Sequence, residues 1–266
     1  LFMKRVEHDE VWSLFDPQEV PQFTDLSGKD FEVAYEEAEK KELYVNQMPA
    51  RELYLRMMKT LAQTGNGWIT FKDSCNLKSN QTKKPENVIH LSNLCTEILE
   101  VTSDRETAVC NLGSINLGRY VKGKKFDFDK LAKNIPVAIK YLDRVVDINF
   151  YPIDQAKSSN HKWRPVGLGV MGWQNLLFQL KLNFDSPEAL DLAEQVHEAI
   201  YYHSLKASLE LSKTYGPHSS FKETKAADGL LQFDLWGHKP REPKKWEKLR
   251  KDIKKHGLRN SLLIAI

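Results

Sequence analysis

Two stretches decide the fold class: 107-TAVCNLGSINL-117 and, a few residues on, 128-FDKLAKNIPVAIKYLDRVVDI-148. The first is apolar and polar by turns and reads as extended chain. In the second, Leu131, Ile135, Ala138, Ile139, Leu142 and either Val145 or Val146 recur at spacings of three and four, the stripe of a helix with one buried face. Pro136 inside it opposes the helix locally.

Working outward, Ser92 to Val101 reads as another extended segment, joined to Thr107–Leu117 by a turn at Thr102-Ser103-Asp104. Downstream, Arg164 to Gly172 reads as a Gly-rich turn, followed by a helix from about Gly172 to Leu180. A long helix then runs from Ser186 to Tyr215, with Ser186 as N-cap, Pro187 at the first helical position and Gly216-Pro217 as the stop. Lys244 to His256 is a basic helix ending at Gly257. Upstream, residues 1–26 read as a short helix and loop. Lys29–Leu43 and Ala50–Ala62 read as amphipathic helices, and Gly65-Asn66-Gly67 ends the second of them. Trp68–Phe71 is expected to be a short strand and Ser74–Glu86 a polar loop. Strands separated by helices predict a helix-rich α/β architecture. With no internal repeat or flexible linker, residues 1–266 read as one continuous domain.

Composition narrows the function classes. The chain has 266 residues, 41% apolar and 28% charged, an ordinary globular balance. The longest uncharged run, Pro165–Leu180, holds 16 residues and three glycines, against ~20 for a membrane span. Residues 1–7 lack the apolar core of a signal peptide. A net charge of +3, from 39 basic and 36 acidic residues, does not point to nucleic acid. The basic stretch His238–His256 is interrupted by Glu242, Glu247 and Asp252 and reads as a solvated helix face. The chain begins at Leu1 and ends in the apolar run Ser261–Ile266, which resembles a buried strand, so it is expected to be part of a longer protein.

Three cysteines, Cys75, Cys95 and Cys110, with no export signal argue against a disulfide scaffold and for a reducing, cytoplasmic setting. Cys75, His90, Cys95 and Cys110 contain no closely spaced pair, so no metal site is expected. Gly167-Leu-Gly-Val-Met-Gly172 fits a dinucleotide pattern but lacks the preceding hydrophobic strand. The sharpest cluster is Ser92-Asn-Leu-Cys-Thr-Glu-Ile-Leu99. On extended chain, Asn93, Cys95 and Glu97 share one face and Leu94, Thr96 and Ile98 the other. A carboxylate beside a thiol disfavours the thiolate. That counts against a cysteine hydrolase using Cys95 with His161 or His256, and suits a neutral thiol for hydrogen-atom transfer with the carboxylate as base.

Ser-Asn-Leu-Cys-Thr-Glu-Ile98, followed by Ala108-Val-Cys-Asn-Leu-Gly-Ser-Ile-Asn-Leu117, resembles the large, catalytic subunit of class I ribonucleotide reductase. Leu1-Phe-Met-Lys-Arg-Val6, Trp12-Ser-Leu-Phe-Asp-Pro17, Trp163-Arg-Pro-Val-Gly-Leu-Gly-Val-Met-Gly172 and His256-Gly-Leu-Arg-Asn-Ser-Leu262 are similar to the family in the same order, so the resemblance covers essentially the whole chain.

The resemblance implies part of a ten-stranded α/β barrel, with Cys95 on a finger loop and residues 1–266 within a single catalytic barrel domain. It implies a ribonucleoside-diphosphate reductase making deoxyribonucleotides for DNA synthesis. Cys95 would be the thiyl radical that abstracts the ribose 3′ hydrogen, Glu97 the base for the 3′-hydroxyl and Asn93 a substrate hydrogen-bonding amide. Cys110 would be half of the dithiol that reduces the 2′ position, its partner lying outside this chain. Cys75 matches no catalytic position and reads as an ordinary thiol. The radical would come from a metal-containing small subunit, and electrons from a thioredoxin or glutaredoxin system. ATP and dATP sites are expected only in regions beyond these residues, and no cofactor in this chain. Because the specificity loops, the radical-relay tyrosines and the C-terminal cysteine pair have no counterpart here, the chain alone is expected not to turn over substrate. The alternative is a non-catalytic structural piece of a split large subunit.

Overall fold

The computed structural model describes residues 1–265, which divide into two compact units, Leu1–Asn76 and Leu77 onward. The first unit is built on α1 (Phe2–His8), β1 (Val11–Phe15), α2 (Gly28–Lys40), β2 (Tyr44–Pro49) and α3 (Ala50–Thr64). β1 and β2 pair antiparallel, Val11 opposite Pro49 and Trp12 opposite Met48. Neither strand follows from the sequence reading, which makes residues 1–26 a short helix and loop and assigns nothing to 44–49. Their side chains pack on α2: Tyr35 is buried, stacks on Trp12 at 4.5 Å and meets Phe15 edge-on at 5.1 Å. The Tyr35 hydroxyl donates to the Ser13 carbonyl and accepts from the Ser13 N–H, both at 2.8 Å, so the helix pins the strand directly.

The Gly65 stop is observed as a left-handed cap donating to the Leu61 carbonyl. Trp68–Phe71 forms no strand. Gly65 and Gly67 take positive φ, the apolar side chains that follow are exposed, and α4 (Lys72–Lys78) occupies part of the expected polar loop. α4 spans the division between the units.

In the second unit, β3 (Leu112–Asn116) leads through the hairpin β4 (Val121–Lys122) and β5 (Lys125–Phe126) into α5 (Phe128–Ile148). The expected stripe is observed: Leu131, Ile135, Ile139 and Val146 are fully buried, and Pro136 faces outward where its missing N–H costs least. α5 packs chiefly on α8 (Pro187–Tyr215), whose Ser186 hydroxyl accepts from the Ala189 N–H as the predicted cap. α6 (Asp154–Trp163) precedes β6 (Gly167–Met171), and α7 (Trp173–Leu180) follows it. α9 (Gln232–Leu235) and α10 (Pro243–His256) complete the helices. α10 buries Trp246, Leu249 and Ile253, and Gly257 caps it.

β6 corrects the reading of Arg164–Gly172 as a turn. It is a parallel partner of β3, with Leu112 opposite Gly167 and Asn116 opposite Met171. Its other edge is taken by residues 262–263: the Val166 and Leu168 N–H groups donate to the Leu262 and Leu263 carbonyls at 3.0 and 2.8 Å. Gly167 is required there, because a Cβ would lie 2.6 Å from Leu112 Cδ2 and 2.7 Å from the Ala265 Cβ. Gly167 serves close strand packing and Gly172 turns the chain out of β6 at φ 72°, and this is no phosphate-binding turn. The expected strand at Ser261–Ile266 is thus an extended segment beside β6 without a regular ladder; Ile266 itself lies outside the described residues. Among those residues the strands form three two-stranded sheets and no closed barrel.

A buried polar hub locks this region. Arg164, left-handed at φ 46°, caps α6. Its guanidinium donates to Asp143 Oδ1 at 2.9 Å, to the Asp143 carbonyl at 2.9 Å, and to both Asp147 oxygens at 2.7 and 3.1 Å. Asn260 donates to Asp143 Oδ1 at 3.0 Å and to the Arg164 carbonyl at 3.1 Å, joining the far end of the chain to the hub. Burial alone would lower the Arg164 pKa, but its hydrogen bonds to Asp147 and Asp143 prevail and raise it.

Near the hub, His218 lies between Trp163 and Phe221, and neither of its ring nitrogens has a hydrogen-bond partner among the described residues. Burial lowers its pKa to about 3. Below pH 6.5 the unfolded chain protonates this ring and the native chain does not, so stability present at neutral pH is lost as pH falls from 6.5 toward 3. The loss by pH 5 should be about 2 kcal/mol. Thermal melts at pH 7 and pH 5 check this: His218→Phe should flatten the difference, and an unchanged pH dependence would exclude His218 as its source.

Candidate functional site

The segment carrying Asn93, Cys95 and Glu97 is a turn, not the expected run of extended chain. The Thr96 N–H donates to the Asn93 carbonyl at 3.2 Å, and Thr96 is left-handed at φ 67°. The cause is the Asn93 side chain, which competes with any strand ladder. Its Oδ1 accepts from the Ile98 N–H at 3.1 Å, and its Nδ2 donates to Glu97 Oε1 at 2.8 Å. Asn93 and Glu97 therefore meet through a closed loop rather than by pleat alternation. Cys95 is exposed at the tip. Leu94, expected as apolar backing, is 74% exposed; Ile98 and Val101 supply the buried anchor. The root of the loop is fixed by the Val101 N–H donating to Gln81 Oε1 at 2.8 Å and the Thr102 N–H to the Val88 carbonyl at 3.1 Å.

Cys110 arrives from the other side. Asn111 ties it to β6: its side chain donates to Asn160 Oδ1 at 2.7 Å and the Pro165 carbonyl at 2.9 Å, and its carbonyl accepts from the Gly167 N–H at 2.9 Å. Burial pushes the Cys110 thiol up, and Glu100, Glu97 and Cys95 push it further in that order. Cys110 is itself exposed, and of the groups that raise its thiol Glu100 is buried. The groups acting on Cys110 are all acidic, the opposite of what activates a thiolate nucleophile. Of the two histidines weighed for a hydrolase, His161 rests against Tyr151 with ring centroids 5.7 Å apart, and His256 ends α10. Cys75 lies on α4 in the first unit, its thiol pushed up by burial.

Glu97 and Thr96 border a largely apolar cavity of about 800 Å³ that runs between β6, α8 and residues 230–240. That volume is in the range of small-molecule sites. Glu97 Oε2 is buried and has no hydrogen-bond partner among the described residues, an acceptor left open where a neighbour fixes the other oxygen. Among the described residues no group of three or more His, Cys, Asp or Glu side chains is arranged to hold a metal, and no helix is long and apolar enough to cross a membrane.

The sequence reading missed Gln81, Glu100 and Asn111. Glu100 alone carried a signal, a carboxylate inside the apolar run Ile98-Leu-Glu-Val101. Gln81 and Asn111 matter only through partners about 20 to 180 residues away.

A family model described as the ribonucleotide reductase barrel domain matches residues 1–266. The ribonucleoside-diphosphate reductase large subunit of Caenorhabditis elegans is 45% identical over 266 residues, covering all of this chain and 34% of the relative. The large chain from Schizosaccharomyces pombe is 42% identical over 265 residues, covering 32% of the relative, and the Variola virus large subunit is also 42% identical over 265 residues, covering 34%. The chain spans about a third of the length of the curated relatives it matches.

Proposed function

Because the chain belongs to the ribonucleotide reductase barrel-domain family, we propose that it supplies the radical-bearing part of a large subunit that reduces ribonucleoside diphosphates. The observation that carries this is the open, buried Glu97 oxygen beside the exposed Cys95 tip, bordering a cavity of ligand size. A thiyl radical at Cys95 takes the ribose 3′ hydrogen, and Glu97 accepts the 3′-hydroxyl proton. Asn93 holds Glu97 Oε1, leaving Oε2 for that proton. Replacing the 2′-hydroxyl by hydrogen releases water and consumes two electrons, which a pair of thiols supplies by forming a disulfide. Cys110 is one of that pair, its partner a cysteine outside this chain.

In this reading β3 and β6, with residues 262–263 along the free edge of β6, are neighbouring staves of the family's ten-stranded barrel, and the Cys95 turn is the tip of the finger inside it. The subunit works in the cytoplasm with a metal-containing small subunit that supplies the radical and with a thioredoxin or glutaredoxin system that resupplies electrons. Nucleotide effectors bind beyond these residues.

The test is Glu97→Gln in a complete large subunit reconstituted with its small subunit. Loss of a general base should cut turnover by ~10²–10⁴-fold. Unchanged turnover would remove Glu97 from the reaction and with it the observation on which this reading stands.

A further inference from the structure

Two consecutive amide side chains, Asn80 and Gln81, have no part in the reaction as drawn, yet between them they tie three walls of the cavity together. Gln81 is fully buried, at 0% exposure. Its Oε1 accepts from the Val101 N–H at the root of the Cys95 turn at 2.8 Å, and its Nε2 donates to the Ser261 hydroxyl at 2.9 Å. Asn80 Nδ2 donates to the Ser261 carbonyl at 2.7 Å, and its Oδ1 accepts from the Ala226 N–H at 2.8 Å. The Asn80 carbonyl accepts from the Lys225 N–H at 3.0 Å. Asn80, Glu97, Ala226 and Ser261 all border the same cavity. These ties leave little slack. Val101 is 1% exposed, so no bulk solvent stands ready to replace Gln81 as its acceptor, and a buried N–H left unpaired is costly enough to move its backbone. Only three residues separate Val101 from Glu97, and the first of them, Ile98, is itself hydrogen-bonded to Asn93. A shift at Val101 is therefore passed on to the Glu97 carboxylate.

We infer that Gln81 is a positioning residue for the reaction: by holding Val101 to Ser261 it sets how far Cys95 and Glu97 reach into the cavity from their turn. It acts through the backbone of the turn and not on substrate. Ser261 leads directly into residues 262–263 along β6, so the turn is registered against the strand edge that forms the facing wall. Asn80 registers residues 225–226 against the same point. Hydrogen-atom and proton transfer both need their partners in near-contact geometry, and a displacement of about 1 Å is enough to slow them steeply. The inference rests on the reading of Cys95 and Glu97 as the reacting pair.

The test uses a complete large subunit reconstituted with its small subunit. Gln81→Met keeps the length of the side chain and removes both hydrogen bonds. It should lower kcat by ~10–10²-fold, the effect of misplacing a reacting group. KM should stay within about threefold, because no contact with substrate is lost. Gln81→Glu keeps an acceptor for the Val101 N–H and a partner for the Ser261 hydroxyl, and should recover part of kcat. Ser261→Ala cuts the tie at its far end only and should fall between the Met variant and the native subunit. Hydrogen exchange locates the cause: Gln81→Met should lose protection at Thr96, Ile98 and Val101 while α5 and α8 keep theirs. Should the Met variant not fold, Ser261→Ala and Gln81→Glu carry the same two readouts. Native kcat in the folded variants would overturn the inference. So would a loss of kcat accompanied by equal loss of protection in α5 and α8, which is plain destabilisation. The radical reading is judged separately on Glu97→Gln. Full turnover there would sink that reading, while a crippled Glu97→Gln beside native kcat in Gln81→Met would sink this inference alone.

Discussion

Serine in place of Cys95 is expected to bring ribonucleotide reduction in a complete large subunit down to background while leaving substrate affinity within about threefold. The hydroxyl O–H bond is stronger than the thiol S–H bond, so serine cannot pass a hydrogen atom on and the relay stops there. The side chain is exposed at the tip of its turn, and the turn is closed by Asn93, Glu97 and Ile98 rather than by the sulfur. The substitution should therefore cost the fold well under 1 kcal/mol, as surface changes generally do. Deoxynucleotide formation and equilibrium dialysis of the substrate, measured on the same preparation, make the check. Activity above a trace in the serine variant would end the radical assignment.

Arg164→Ala should be the most damaging change to the fold. It removes four hydrogen bonds and leaves Asp143, 5% exposed, with Arg259 at 3.5 Å and Asp147 with Arg144 at 3.6 Å as their remaining cations, neither hydrogen-bonded to them. Breaking a buried pair from one side typically costs ~3–5 kcal/mol. The loss acts on three elements at once, because Asp143 and Asp147 are on α5, Arg164 caps α6, and Asn260 ties the chain beyond α10 to both. Arg164→Gly should recover ~1 kcal/mol of that, since the left-handed backbone at φ 46° strains alanine but not glycine. Urea denaturation monitored by hydrogen exchange in α5 and α6 gives both numbers. A cost below ~1 kcal/mol for alanine would mean that Arg259, Arg144 and solvent, not Arg164, compensate the two aspartates.

The helices were legible because their evidence is local. α5 shows its stripe, α8 its Ser186 cap, and α10 its Gly257 stop, all within a few residues of chain. β6 was not legible, since GLGVM neither alternates nor carries bulk. It is a strand because β3 and residues 262–263 lie on its two edges, and Gly167 is a space those neighbours need. β1 and β2 were hidden the same way, each meaningful only when set beside the other. At the site, the residue types singled out Asn93, Cys95 and Glu97, which the structure brings into one turn, but the predicted backbone was wrong. Alternation assumed that Asn93 leaves the ladder to the main chain, whereas its amide takes the Ile98 N–H and the Glu97 carboxylate for itself. Glu100 was passed over because a lone acidic residue in an apolar run reads as a surface position until its burial is known.

The Asn80 side chain donates to the Ser261 carbonyl at 2.7 Å, and the Gln81 side chain to the Ser261 hydroxyl at 2.9 Å while accepting from Val101. The root of the reactive turn is therefore braced by a residue made 180 positions later. At the usual pace of synthesis, ~5–20 residues per second, a nascent chain waits roughly 10–40 s between making Gln81 and making Ser261. For that interval the Cys95 turn lacks the brace at its root. Late closure of this kind also slows folding, because contacts so far apart in sequence form only after the long loop between them has been ordered.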